Sequence, residues 1–174
     1  MAKLKFEIGC DMQEFKPYYD KCGIVEQPGI AGGELTPDWE QLLIENPQWL
    51  IIWRLDGKIV GHAVWHESST EEHRKGDRRD EEDRLVLERL LDRKGDVVEL
   101  HEVWLTEEYR GRGYGKLFFE FFEGFMRERG FDSVIYYAFH PAALAICRQR
   151  KYKEAYFEKE KWYVFYMNLV EPIS

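Results

Sequence analysis

The chain has 174 residues, with 25 basic and 33 acidic side chains and a net charge of −8. That balance disfavours nucleic acid and anionic membrane as partners, because both select basic surfaces. A hydrophobic content of 44% excludes a disordered chain, and a domain of this size buries a core without disulfide staples. The three cysteines, Cys10, Cys22 and Cys147, show no redox or zinc spacing. With no apolar leader and no long apolar run, a reduced, cytoplasmic protein is expected.

Residues 3–8 alternate, with Leu4, Phe6 and Ile8 on one face, and read as a first strand. A loop-rich stretch is expected from there to about Glu34, containing Pro28-Gly29 and Gly32-Gly33. Thr36-Pro37-Asp38 opens a helix, with Thr as N-cap and Pro in the first turn, and Asn46-Pro47 stops it. Residues 49–55 and 58–65 are two strands joined by Asp56-Gly57, a two-residue hairpin signal. In residues 67–84, 13 of 18 side chains are charged, so a solvated loop is expected there. Its functional readings are substrate choice or contact with a second copy in a homodimer. Leu85, Leu87, Leu90 and Leu91 then give a short amphipathic helix ending at Lys94-Gly95.

Residues 97–105 form a strand, followed by a turn with Gly111, Gly113 and Gly115. Residues 116–129 form a helix whose Phe118, Phe121, Phe122 and Phe125 recur at helical spacing, which reads as a buried face rather than an aromatic cofactor box. Gly130 ends it. A strand over 133–139, a helix over 141–150 opened by Pro141, and a hairpin of 155–157 with 162–169 complete the chain. This order describes an α/β (α+β) domain with a mixed sheet.

The informative segment is Arg110-Gly111-Arg112-Gly113-Tyr114-Gly115, between a strand and a helix. Backbone N–H groups in such a turn converge, the helix N-terminus adds partial positive charge, and glycines admit a diphosphate closely. Arg110, Arg112 and Lys116 concentrate positive charge there, whereas a purely structural loop needs only the glycines. A P-loop is excluded, since it requires Gly at 110 and Ser or Thr at 117. A dinucleotide fingerprint has different spacing. No G-x-S-x-G elbow occurs. The run from His101 to Leu105 departs from H-E-x-x-H at its last residue, and His62 and His66 lack partners in sequence, so no metal is expected.

Residues 102–122, EVWLTEEYRGRGYGKLFFEFF, resemble the central motif of the GNAT N-acetyltransferases, R/Q-x-x-G-x-G/A, with Arg110, Gly113 and Gly115 at its defined positions. The resemblance covers about residues 49–169. It implies a GNAT fold over 1–174, with a mixed, mostly antiparallel central sheet splayed at an acyl-CoA cleft, helices flanking it and a charged insert at about 67–95. It implies acetyl-CoA as co-substrate and an amine as acceptor. The backbone of Val103, Trp104 and Leu105 would pair with pantetheine, across a gap from strand 133–139. Arg110, Gly111, Arg112, Gly113, Tyr114, Gly115 and Lys116 would take the pyrophosphate.

An amine with a pKa of about 10.4 is free base in only about 1 in 2,500 molecules at pH 7, a cost of about 4.6 kcal/mol, so a base is needed. Strand alternation puts Val97, Glu99, His101, Val103 and Leu105 on one face. Glu99 resembles the glutamate base of histone-type members, and Glu99 with His101 resembles a histidine pair of arylalkylamine-type members. The plainer readings are a salt-bridged carboxylate and a half-buried imidazole. Glu102, on the other face, is the weaker candidate. The family tyrosine that protonates the leaving thiolate falls at Cys147, whose plainer reading is a small buried residue; Tyr152 or water would substitute. His140 replaces the family's asparagine and counts among the cofactor-binding residues. Glu26, Glu34, Glu158 and Glu160 border the acceptor entrance by resemblance and suit a cationic, small-molecule or peptide amine. The reading is an amine N-acyltransferase; the alternative is a non-catalytic acyl-CoA-binding module.

Overall fold

The computed structural model describes residues 3–22, 37–73 and 78–170. Its elements run β1 (Leu4–Ile8), α1 (Met12–Lys21), α2 (Pro37–Glu45), β2 (Leu50–Leu55), β3 (Lys58–Ser69), α3 (Glu81–Leu91), β4 (Asp96–Leu105), α4 (Tyr114–Glu128), β5 (Ser133–Ala138), α5 (Pro141–Gln149), β6 (Lys153–Phe157) and β7 (Trp162–Asn168). The strands hydrogen-bond in the order β1-β2-β3-β4-β5-β7-β6. The β4–β5 pair is parallel, whereas β1–β2, β2–β3, β5–β7 and β6–β7 are antiparallel. This is the expected mixed, mostly antiparallel sheet with helices. No described helix is long and apolar enough to cross a membrane. Thr36 and residues 23–34, with Glu26 and Glu34, lie outside the described residues.

Two compact units divide the chain, Met1–Trp65 with His101–Tyr114 and His66–Leu100 with Gly115–Ser174. In the first, Asp56 (φ 50°) and Gly57 (φ 78°) both take left-handed backbone, as the hairpin signal predicts. The β2–β3 register shifts once, pairing Trp53 with Gly61 and Arg54 with Ile59. Val60 is left over, and its carbonyl accepts from the Thr106 N–H at 2.8 Å. α1 occupies part of the expected loop. Asp11 caps it by accepting from the Gln13 N–H at 2.8 Å. Phe15 and Tyr19, one helical turn apart, are buried. Pro17 lacks the donor that a helix interior needs and so obscures this helix in the sequence.

In the second unit, β4 pairs with β5 from Val98↔Val134 to Leu100↔Tyr136. β5 pairs with β7 from Ser133↔Asn168 to Ala138↔Tyr163. The solvated loop expected over 67–84 is shorter, because β3 continues to Ser69 and α3 begins at Glu81 rather than Leu85. The acidic run is the first turn of α3, where negative charge meets the positive end of the helix dipole. Asp80 caps it, accepting from the Asp83 N–H at 2.8 Å. Leu87, Leu90 and Leu91 pack into a core with Val97, Ile135, Val164 and Tyr166. The buried face of α4 is Phe118, Phe119, Phe122 and Met126. Phe121 and Phe125 are half-buried and stack on each other at 5.6 Å, so the aromatic face is rotated from the expected one.

Gly61 sits where two strands approach closely. A Cβ there would lie 2.7 Å from the Trp104 carbonyl oxygen and 3.0 Å from the Trp53 ring. Because one neighbour is backbone, Gly61→Ala is expected to destabilise the fold by about 1–3 kcal/mol, as overpacked positions do. Thermal denaturation checks this; an unchanged Tm would contradict it.

Candidate active site

The site candidates gather along the end of β4 and the turn after it. Beyond the β5 ladder, β4 continues through His101, Glu102, Val103, Trp104 and Leu105. A 3-10 turn (Glu107–Tyr109) follows, then Arg110 in extended backbone. Gly111 (φ 78°) and Gly113 (φ 85°) take left-handed backbone, with no heavy atom within 4 Å of where a Cβ would stand. These two glycines are required by conformation and leave the turn uncovered. Gly115 differs: a Cβ there would lie 2.8 Å from Ile146 Cδ1, so its smallness serves the packing of α4 on α5.

The turn's arginines are held in place. Arg110 Nε donates to the Leu105 carbonyl at 2.8 Å, and its guanidinium lies 4.8 Å from the Trp104 ring centroid. Arg112 donates to the Glu108 carbonyl at 3.3 Å and lies 5.6 Å from the Tyr109 ring. Tyr114 opens α4, and Lys116 is exposed in a first turn that carries no acidic residue. The orphan N–H groups of that turn and the three cations make the segment suited to a polyanion. A cavity of about 850 Å³ adjoins it within the first unit, lined among others by Tyr18, Cys22, Ile59, Trp104, Thr106 and Arg110.

Behind this cavity lies a buried polar chain that the sequence does not announce. His62 of β3 is fully buried and places Nε2 at 2.5 Å from Glu102 Oε2. Its Nδ1 lies 2.9 Å from the Tyr18 hydroxyl. The Tyr19 hydroxyl donates to Glu102 Oε1 at 3.2 Å. Burial pushes the Glu102 carboxyl up, but His62, His101 and the Tyr19 hydrogen bond outweigh it and hold the group below its ordinary value. Burial, with Cys22 and Glu102 nearby, holds the Tyr18 phenol well above its ordinary value. Glu102, the weaker candidate by sequence, is therefore the more deeply buried carboxylate of β4. The missing sequence signal is distance, since His62 and Glu102 are 40 residues apart.

The remaining candidates are distributed over both units. His101 is half-buried, and its ring lies 4.8 Å from that of Trp39. Glu99 is held in the second unit by Arg79 at 2.9 Å and His66 at 3.3 Å. Arg79 also donates to Asp83, Ser68 and the Tyr137 hydroxyl. Burial opposes the Arg79 charge, but Tyr137, Glu99 and Asp83 more than offset it. Cys147 is fully buried, and burial pushes its thiol up to about 12. Its surroundings suit a core residue rather than a proton donor. His140 is exposed and caps α5, its Nδ1 accepting from the Ala142 N–H at 3.1 Å. The Tyr152 hydroxyl donates to Glu123 and accepts from Arg150, each at 2.8 Å.

Residues 13–150 match the family model described as the acetyltransferase (GNAT) family. The chain belongs to the GNAT acetyltransferase family. Among solved structures, the Drosophila melanogaster polyamine N-acetyltransferase is similar with a TM-score of 0.66 at 12% identity, covering 95% of this GNAT chain and 100% of that one. A mosquito arylalkylamine N-acetyltransferase-like 5b gives 0.65 at 11% identity, with coverages of 95% and 100%. The NatC complex bound to Gag peptide and CoA gives 0.59 at 14% identity, with coverages of 95% and 98%. At such identities the likeness speaks to the GNAT fold. A comparison with curated protein sequences gives no match.

The depressed Glu102 carboxyl has a consequence for stability. Folded, the group binds its proton less readily than the unfolded chain does, with an ordinary value of about 4.3. Its contribution is fully present above that value and is lost as pH falls through the lower, folded one. Glu102→Gln is expected to lower stability at neutral pH and to flatten the acid-side decline. Urea midpoints across the acid range check this, and wild-type and variant curves that stay parallel would contradict it.

Proposed function

We propose that this GNAT protein transfers an acetyl or other small acyl group from acyl-CoA to a primary amine, acting as one catalytic domain with residues 67–95 as an insert. The observation that carries this reading is the open, left-handed Gly111–Gly113 turn, flanked by two anchored arginines at the start of α4. A diphosphate needs such uncovered backbone and nearby cations. In this reading residues 110–116 hold the pyrophosphate, and the backbone of Val103, Trp104 and Leu105, beyond the short β4–β5 ladder, pairs with pantetheine. His140, exposed at the start of α5, contributes to the same cofactor.

Acyl-CoA supplies an activated thioester carbonyl. Glu99 and His101 belong to the face of β4 assigned to the amine, where they take the proton that the amine must lose before it attacks. Arg79 and His66 fix Glu99 in one orientation. An amine acceptor accords with the polyamine and arylalkylamine N-acetyltransferases among the structural neighbours. A cationic one suits the net charge of −8 and the exposed Glu158 and Glu160 between β6 and β7.

Release of free thiol from acetyl-CoA, measured against a panel of polyamines, arylalkylamines and peptide N-termini, tests the reading. At least one amine is expected to give turnover. Combined Glu99→Gln and His101→Ala should reduce it by about 10²–10⁴-fold, the contribution of a positioned base. Gly113→Trp should abolish acetyl-CoA binding in calorimetry. Binding without turnover for any amine would replace the enzyme with an acyl-CoA-binding module, and no binding would overturn both.

A further inference from the structure

The buried chain Tyr18–His62–Glu102 has no part in the reading above, yet it ends at the cavity. Glu102 is held ionised, and a carboxylate only accepts, so His62 Nε2 carries a proton toward it. The other ring nitrogen then sets the direction of the Tyr18 hydrogen bond. With the ring neutral, Nδ1 accepts the Tyr18 proton. With the ring protonated, Nδ1 donates to the Tyr18 oxygen and frees the phenol hydrogen for the cavity. One proton stored on His62 thus becomes one donor at Tyr18, which lines the cavity beside Trp104 and Arg110.

We propose that Tyr18, backed by His62 and Glu102, is the group that protonates the sulfur as it leaves the acyl carbon. This rests on the proposed function, which assigns Trp104 and Arg110 of the same cavity to acyl-CoA. As the C–S bond breaks, its electron pair passes to sulfur. The Tyr18 hydroxyl proton forms the S–H bond, and the His62 Nδ1 proton moves to the Tyr18 oxygen. Glu102 stays ionised throughout, and His62 regains its proton from solvent. The amine's own protons leave by the base on β4, so one proton is released overall for each amide and thiol formed. Tyr18 is the catalytic residue, and His62 and Glu102 act through it as positioning residues. The buried thiol of Cys147 and the Tyr152 hydroxyl, already committed to Glu123, are each poorly placed to give up a proton.

Tyr18→Phe keeps the ring and deletes only the hydroxyl. With acetyl-CoA and an accepted amine, kcat is expected to fall by about 10²-fold or more, with KM for acetyl-CoA nearly unchanged and cooperative unfolding retained. The wild-type kcat should show a solvent deuterium isotope effect with a curved proton inventory, because two protons move as the C–S bond breaks. His62 faces Tyr18, Tyr19 and Glu102, with Cys22 beside Tyr18 and His101 acting on Glu102. Glu102→Gln removes the carboxylate that faces the ring and should straighten that inventory, a change that a purely structural role does not produce. Wild-type kcat in Tyr18→Phe, or an inventory left curved in Glu102→Gln, overturns the relay while leaving the acyltransferase intact. Failure of the wild type to bind acetyl-CoA, or to turn over any amine, overturns the relay together with the proposed function.

Discussion

Charge cannot be buried alone, and β4 buries it twice. Glu99 and Glu102 stand three residues apart on one strand, and the two-residue period sends them to opposite sides. A carboxylate taken out of water stays charged only where donors and cations replace the solvent. Within the second unit Arg79 and His66 meet Glu99, and within the first His62 and Tyr19 meet Glu102. These two demands account for polar residues otherwise hard to explain: two histidines on the apolar strand β3, a guanidinium held just ahead of α3, and adjacent tyrosines on α1.

What was legible in the sequence is what local backbone dictates. Asp56-Gly57 and the glycines of the turn after β4 announce themselves because left-handed backbone selects so few residues. The succession of strands along the chain, α2, α4 and α5 follow from periodicity and from proline or glycine at their ends. What was not legible is what distant partners decide. α1 contains Pro17, which local propensity rejects; burial of Phe15 and Tyr19 carries the helix regardless. In the charged run, composition argues for solvent, yet Arg79 is needed by Glu99 and the acidic residues by the helix that follows them.

The same limit governs the candidate site. The glycine turn after β4 is a contiguous segment, so its backbone conformation reads directly. A relay assembled from α1, β3 and β4 spans sequence separations of 40 and more, and nothing in the spacing of Tyr18, His62 and Glu102 joins them. Alternation alone ranks Glu102 below Glu99, since it faces away from His101. Burial sets Glu102 apart in another way: it is 5% exposed and tied to an imidazole that reaches the cavity through a phenol.

Proton affinities show why an imidazole behind the phenol matters. A thiol has an ordinary value of about 8.5 and a phenol of about 10, so direct transfer from tyrosine to a thiolate is uphill by about 2 kcal/mol. Burial of Tyr18 steepens that climb. From Cys147, with its thiol pushed up to about 12, the climb is about 5 kcal/mol. A proton that starts on an imidazolium, an acid stronger than either, reaches the same thiolate downhill. When proton arrival at the tyrosine oxygen is concerted with departure from it, the phenol's own acidity drops out and the end points alone set the balance. Burial of the tyrosine then becomes an advantage, because it forbids a lasting tyrosinate and couples the two transfers.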